Sequence, residues 1–231
     1  LGFGEEARAD FRLLDCDLGA DSSTIRARIG DAEVEASIGA PGRHIVQNAL
    51  AVRGDAWPPC ADHGKVAAAL AGLEAEQGRG RRHRLAPPGG TFTLIDESYN
   101  ANPASMQAAM ALLAATPVAD GGRRIAALGD MLELGSHSAK LHAALAEPVA
   151  RSGADLVLLA GPEMKALADA LPEGIAREYR ADVEALKQVL LDAVRPGDAV
   201  MVKSSKGIGF SKLVDALIAR YPADAGEQAP A

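Results

Sequence analysis

Leu94-Ile95-Asp96-Glu97-Ser98-Tyr99-Asn100-Ala101-Asn102-Pro103 is the stretch on which the reading of the fold turns. Two apolar residues close a strand, and carboxylate, hydroxyl, phenol and amide groups then crowd into a short loop. Asn102 is a natural N-cap with Pro103 at the first helical position, and an alanine-rich helix follows to about residue 115. Capping accounts for Asn102 and Pro103 but not for the other polar groups. The carboxyl end of a strand is where open α/β sheets place ligands, so this turn is the first candidate site.

Working outward, the same rhythm repeats downstream. Strands are expected at Thr91 to Ile95, Arg124 to Leu128, Leu156 to Leu159, Ala176 to Tyr179 and Ala199 to Val202. Helices are expected near 103–115, 138–152, 163–171, 182–194 and 210–220. Short apolar strands alternating with amphipathic helices mean an α/β fold, a parallel sheet covered on both faces. Upstream, Arg79-Gly80-Arg81-Arg82-His83-Arg84 and Pro87-Pro88-Gly89-Gly90 read as a linker by composition. Before it, Thr24 to Ile38 alternates in a hairpin about Gly30-Asp31, with Arg28 facing Glu33 and Arg26 facing Glu35. Helices are expected over about 43–54 and 61–78. The domains expected are thus 1–86, 87–222 and a small, polar, disordered tail at 223–231.

The chain has 231 residues, 48% hydrophobic, enough for one large or two modest cores. A net charge of −7 disfavours nucleic acid or an anionic membrane as partner. No stretch is long and apolar enough for a membrane helix. Two cysteines, Cys16 and Cys60, make no disulfide framework, and a reducing cytoplasm is expected. The opening lacks a methionine and reads as mid-domain sequence, which predicts a piece of a longer protein.

No G-x-x-x-x-G-K-[ST] phosphate loop occurs, and no dinucleotide fingerprint: after Gly207-Ile208-Gly209, Lys212 stands where a third glycine belongs. Asp96 and Glu97 diverge as strand neighbours, which argues against one shared metal. His137 and His142 have no evident co-ligands. His44 and Asn48 fall on one helix face by their spacing.

Asp96 to Pro103 resembles the D-[DE]-S-Y-N-A-N-P signature of the Mur ligases that build the peptidoglycan precursor. Gly129-Asp130-Met131-Leu132-Glu133-Leu134-Gly135 is similar to the G-D-M-x-E-L-G loop of the member that adds a dipeptide. Pro41-Gly42-Arg43-His44 with Asn48-Ala49-Leu50-Ala51 is similar to P-G-x-H-N-x-x-N-A-L-A, and Val200 to Ser205 to the V-K-G-S loop. Two departures stand out: Ile45 replaces an asparagine and Ser204 a glycine. The G-D-M-x-E-L-G loop and the octapeptide speak against another superfamily ligase such as folylpolyglutamate synthase. A non-catalytic nucleotide-binding module is the other alternative.

The resemblance implies an ATP-dependent ligase joining D-alanyl-D-alanine to UDP-N-acetylmuramoyl-tripeptide through an acyl phosphate, and a monomer in the cytoplasm. Residues 1–86 would end a central ATPase domain, and 87–222 would form a C-terminal Rossmann-like domain. The phosphate loop, the Mg ligands and the family's carbamylated lysine would lie upstream, leaving no catalytic residue or metal ligand in this chain, which alone should not turn over ATP. Nucleotide contacts are implied for Asn48 at the adenine, Arg84 as the linker arginine, Glu97 at the ribose hydroxyls and Tyr99 on the adenine side. Substrate contacts are implied for Asn100, Asn102, Asp130, Lys203, Ser204 and Ser205. Asp130 and Glu133 flank the carboxyl end of the second strand, and by that position a carboxylate there is expected to hold the incoming ammonium.

Overall fold

The computed structural model describes residues 2–19, 22–29, 32–39, 45–50, 71 and 75–223. The chain divides into two units, Leu1–Ala75 and Glu76–Ala231.

In the first unit, β1 (Phe3–Gly4) runs parallel to β2 (Phe11–Leu18), which continues into an antiparallel meander with β3 (Ser23–Ile29) and β4 (Ala32–Ile38). Strict alternation in β3 buries Ile25 and Ala27 while Thr24, Arg26 and Arg28 stay exposed. Those buried side chains pack with Leu13, Ala36 and Ile38 against Val46, Ala49 and Leu50 of the helical residues 45–50. The cross-strand charges fall as the alternation predicts, with Arg28 opposite Glu33 and Arg26 opposite Glu35. Arg28 donates to Glu33 at 2.8 Å and holds that carboxyl below its ordinary range. The hairpin's Gly30-Asp31 and nearly all of the helix expected at 61–78 lie outside the described residues, and residues 75–80 are not helical.

The second unit is a six-stranded sheet: β5 (Arg81–Leu85), β6 (Phe92–Glu97), β7 (Arg124–Gly129), β8 (Leu156–Ala160), β9 (Ala176–Arg180) and β10 (Ala199–Lys203), in the order β5-β6-β10-β7-β8-β9. All neighbours are parallel except β5 with β6. Six helices follow the strands: α1 (Pro103–Ala115), α2 (Ser138–Ala143), α3 (Ala146–Arg151), α4 (Met164–Ala170), α5 (Val183–Ala193) and α6 (Ser211–Arg220). Side-chain alternation sends Ile95, Ala126, Leu128 and Met201 to one face, against α1, α3 and α4. Leu94, Ile125, Ala127, Val200 and Val202 go to the other, against α5 and α6.

Three expectations change. Residues 81–85 are not linker but the antiparallel edge strand, because main-chain pairing with β6 tolerates the exposed arginines of an edge. The helix expected over 138–152 breaks into α2 and α3, since Pro148 has no N–H to donate to Ala144 and its ring crowds that carbonyl. Ala223, the first residue of the expected tail, forms an antiparallel bridge to Leu85, beside a hydrogen bond from Ala86 N–H to the Pro222 carbonyl, and residues 224–231 lie outside the described residues.

At the amino end of the sheet, Asp198 is buried and accepts from the main-chain N–H of Arg123 and of Arg195, both at 2.9 Å. The Arg123 guanidinium completes the lock, with Nη2 2.7 Å from Asp198 Oδ2. It ties the start of β7 to the start of β10, the strand that separates β6 from β7.

Candidate functional site

Adjacent strands β6 and β10 lead to helices on opposite faces of the sheet, α1 and α6. Their loops part, and a crevice opens at the carboxyl ends of β6, β10 and β7, the switch point of a doubly wound sheet. Glu97 and Lys203 are register partners there. Lys203 is 1% exposed and donates to Glu97 Oε2 at 3.1 Å and to the Asn100 carbonyl at 2.9 Å. One ammonium therefore joins the two loops flanking the crevice.

Asp96, fully buried, is a positioning residue. Its carboxylate accepts from Gly78 N–H at 2.8 Å, Ser98 N–H at 3.1 Å and the Ser98 hydroxyl at 2.6 Å. Gly80 N–H donates to its carbonyl and Tyr99 N–H to the Gly78 carbonyl, so residues 78–80 lie against the polar loop. Only glycine fits at 78, where φ is +77° and a Cβ would meet the Tyr99 Cβ at 2.8 Å.

Asn102 is the N-cap expected, in a capping box: its side chain accepts from Ser105 N–H at 2.8 Å, and Ser105 Oγ accepts from Asn102 N–H. Asn100 projects an exposed side chain, and Tyr99 is 40% exposed. The Arg79 guanidinium stands 4.4 Å and the Lys206 ammonium 4.9 Å from the Tyr99 ring centre.

Ser205 knits the third loop to the other two. Its N–H donates to the Asp130 carbonyl at 3.1 Å, its hydroxyl donates to the Ala101 carbonyl at 3.3 Å, and that hydroxyl accepts from Leu132 N–H at 2.9 Å. Ser204 is fully buried and donates to the Ser205 carbonyl. It is tolerated because Gly129 lies beside it: a Cβ there would fall 2.8 Å from the Ser204 Cβ. Ile45, the other departure, packs against the apolar core of the first unit.

Asp130 is only 2% exposed, and its carboxylate accepts from Met164 N–H at 2.9 Å, at the start of α4. Burial pushes its carboxyl above the ordinary range, partly offset by the main-chain N–H groups of Met164 and Glu163. In contrast to the expectation of a carboxylate open to an ammonium, this one faces a helix start.

Sequence reasoning missed two members of this arrangement. His142 is fully buried, accepting from Met131 N–H at 3.0 Å through Nε2 while Nδ1 lies 2.8 Å from the Ser138 carbonyl. That fixes a neutral ring with its proton on Nδ1; the Ser138-to-His142 helical spacing was the available signal. His142→Ala should cost about 1–3 kcal/mol by orphaning the Met131 N–H, seen as a lower denaturant midpoint and faster exchange of that amide. Arg79 is the second. Arg84 pairs with Thr93 near the amino end of β6 and donates to Thr91 at 3.3 Å, whereas Arg81 is opposite Asp96 at the carboxyl end. Arg84 is therefore about 10 Å along the strand from the crevice, and Arg79 is the arginine at it.

Glu97, Tyr99, Asn100, Asp130, Lys203, Ser204 and Ser205 thus share one end of the sheet. Asn48 is an exposed helical residue of the other unit. Among the described residues no group of three His, Cys, Asp or Glu is placed to hold a metal ion, and no helix is long and apolar enough to cross a membrane.

The model of the family described as "Mur ligase, glutamate ligase domain" matches residues 78–206. The chain belongs to the Mur ligase family. It is 32% identical over 213 residues to the UDP-N-acetylmuramoyl-tripeptide–D-alanyl-D-alanine ligase of Escherichia coli (strain K12), covering 91% of this chain and 45% of that ligase. The chain therefore spans under half the length of that relative. Its fold is similar to a crystal structure of MurF from Acinetobacter baumannii, with a TM-score of 0.78 at 22% identity over 94% of this chain and 46% of that one. It is also similar to the MurF ligase of Thermotoga maritima solved with ADP, with a TM-score of 0.69 at 22% identity over 93% and 47%. The matched Mur ligase segment opens at Gly78, the residue held by Asp96, and closes at Lys206.

Proposed function

We propose that this chain is part of an ATP-dependent ligase that joins D-alanyl-D-alanine to UDP-N-acetylmuramoyl-tripeptide, and that it supplies the nucleotide-closing and dipeptide-binding parts. In that reaction ATP phosphorylates the tripeptide carboxylate, the dipeptide amine attacks the acyl phosphate, and the tetrahedral intermediate expels phosphate. Such a domain contributes orientation, charge stabilisation and exclusion of water that would hydrolyse the acyl phosphate. The unit from Glu76 serves as the C-terminal domain and the residues before it as the end of the central ATPase domain. A monomer in the cytoplasm, where ATP and nucleotide-linked precursors are found, fits this role.

The observation that carries the reading is the convergence of Glu97, Tyr99, Asn100, Lys203 and Ser205 on the crevice at the switch point. The Thermotoga relative's ADP supports an adenine nucleotide as one ligand. Glu97 then meets the ribose hydroxyls, held in place by Lys203. Arg79 rather than Arg84 takes the linker-arginine role, and Tyr99 stands on the adenine side. Asn100, Asn102, Lys203, Ser204 and Ser205 are proposed on the acceptor side, with Asp130 shaping the loop from beneath. The ATP chemistry of that reaction calls for Mg, which this reading places on none of the residues named above.

Calorimetry of the 231-residue chain tests this. ADP should bind, Arg79→Ala should weaken it about tenfold, the size of one charge-assisted contact, and Arg84→Ala should leave it unchanged. The chain alone should release no phosphate from ATP. Turnover by the chain, or equal losses in both arginine variants, would contradict the assignment.

A further inference from the structure

Tyr99 and Leu132 are the large apolar side chains left exposed in the second unit among the described residues, at 40% and 43%. Both stand at the crevice, on the loops after β6 and β7. Between those loops runs the short 3-10 turn Lys206–Ile208 that follows β10. Leu132 lies over Gly207, where a Cβ would fall 3.0 Å from its Cδ1, and the turn's Lys206 reaches across Tyr99. Among the described residues Lys206 has no carboxylate within ion-pair distance, and the exposed Asn100 amide, on the loop that carries Tyr99, makes no hydrogen bond. The other ammonium of this loop, Lys203, is fully engaged inside.

We propose that Lys206 receives the terminal carboxylate of the acceptor dipeptide and that Leu132 contacts its terminal methyl group, so that this turn sets acceptor specificity while Tyr99 stays with the nucleotide. This rests on the reading of the crevice given above. The chemistry favours a small peptide acid. A compact, uncompensated ammonium suits one carboxylate, and the single apolar surface of modest size that Leu132 offers suits a short side chain rather than a long or charged one. The amine end of the dipeptide would then point away from Lys206, toward Asn100 and the nucleotide side. Phosphate is the other anion that an ammonium here could take, and it supplies no use for Leu132.

Calorimetry of the full 231-residue chain with four probes separates these cases: D-alanyl-D-alanine, D-alanyl-D-alaninamide, inorganic phosphate and ADP. The dipeptide should bind about tenfold more tightly than its amide, the ratio expected for one charge-assisted hydrogen bond. Lys206→Met should bind both at the weaker level, a loss of discrimination that a merely structural role would not produce, and Lys206→Arg should restore the preference. Leu132→Ala should weaken dipeptide and amide alike, keeping their ratio. Lys206 is exposed, so the K206M thermal transition should match that of the parent chain. The proposal fails if K206M still prefers the carboxylate, or if K206M loses phosphate binding but not dipeptide binding. ADP binding without dipeptide binding removes this proposal and leaves the nucleotide site; binding of neither removes both.

Discussion

Replacing Asp198 with alanine should lower the unfolding free energy of the second unit by about 3–5 kcal/mol, the range for breaking a buried charge pair by removing one partner. Asp198 is 2% exposed, and alanine there leaves the main-chain N–H groups of Arg123 and Arg195 without their acceptor and the Arg123 guanidinium with the Ala193 carbonyl in place of its carboxylate partner. The affected strands are β7 and β10, so the damage falls on the middle of the sheet. Urea denaturation followed by far-ultraviolet circular dichroism measures the shift in midpoint. Because the lock lies at the amino end, the protein that remains folded at low temperature should bind ADP as the parent does. A loss below 1 kcal/mol would show that water replaces the carboxylate, and would remove the lock as a source of stability.

Lys203→Met should cost a similar amount, about 3–5 kcal/mol, and unlike Asp198→Ala it should also abolish ligand binding. It takes the Lys203 contact from the Glu97 carboxylate, whose side chain is 11% exposed, and the Lys203 donor from the Asn100 carbonyl at the same time. The loop after β6 loses the donor that ties it to the end of β10. Adding Glu97→Gln should recover part of the stability, because a carboxylate that has lost its ammonium is then replaced by a neutral amide; a coupling of about 0.5–3 kcal/mol between the two positions is the measure of the pair. Binding should not recover, since Glu97 is itself assigned to the ribose. Additive losses in the double-mutant cycle would mean that Lys203 and Glu97 act independently, contrary to their 3.1 Å contact.

The two variants separate what the sheet needs from what the crevice needs. Asp198 and Arg123 hold strands together at one end. Lys203, Ser205, Asp96 and His142 hold loops together at the other, leaving Tyr99, Asn100, Leu132 and Lys206 facing outward. A rigid inner set carrying an exposed outer set is how a fold presents binding groups without loss of stability.

Much of this was legible in the residues themselves. The apolar strands, the Asn102 cap with Pro103, and the Arg28–Glu33 hairpin pair follow from periodicities of two and 3.6 residues and from local capping chemistry. These depend on neighbours in sequence, so sequence determines them. The placement of Glu97, Asn100, Asp130 and Lys203 at one end also follows, because parallel topology points every strand's exit the same way.

Other features depended on the assembled sheet. Glu97 and Lys203 are 106 residues apart, and only the insertion of β10 beside β6 makes them partners. Arg79 and Arg84 look alike in a basic run, and only the antiparallel register of β5 sends one to the crevice and the other to the far end. His142 and Asp130 are polar residues that a sequence leaves at the surface; tertiary burial turned them into acceptors for main-chain N–H groups of distant loops. Sequence fixed each local element because its energetics close within a few residues, whereas strand order and buried polar pairing are decided by contacts that exist only once the chain has folded.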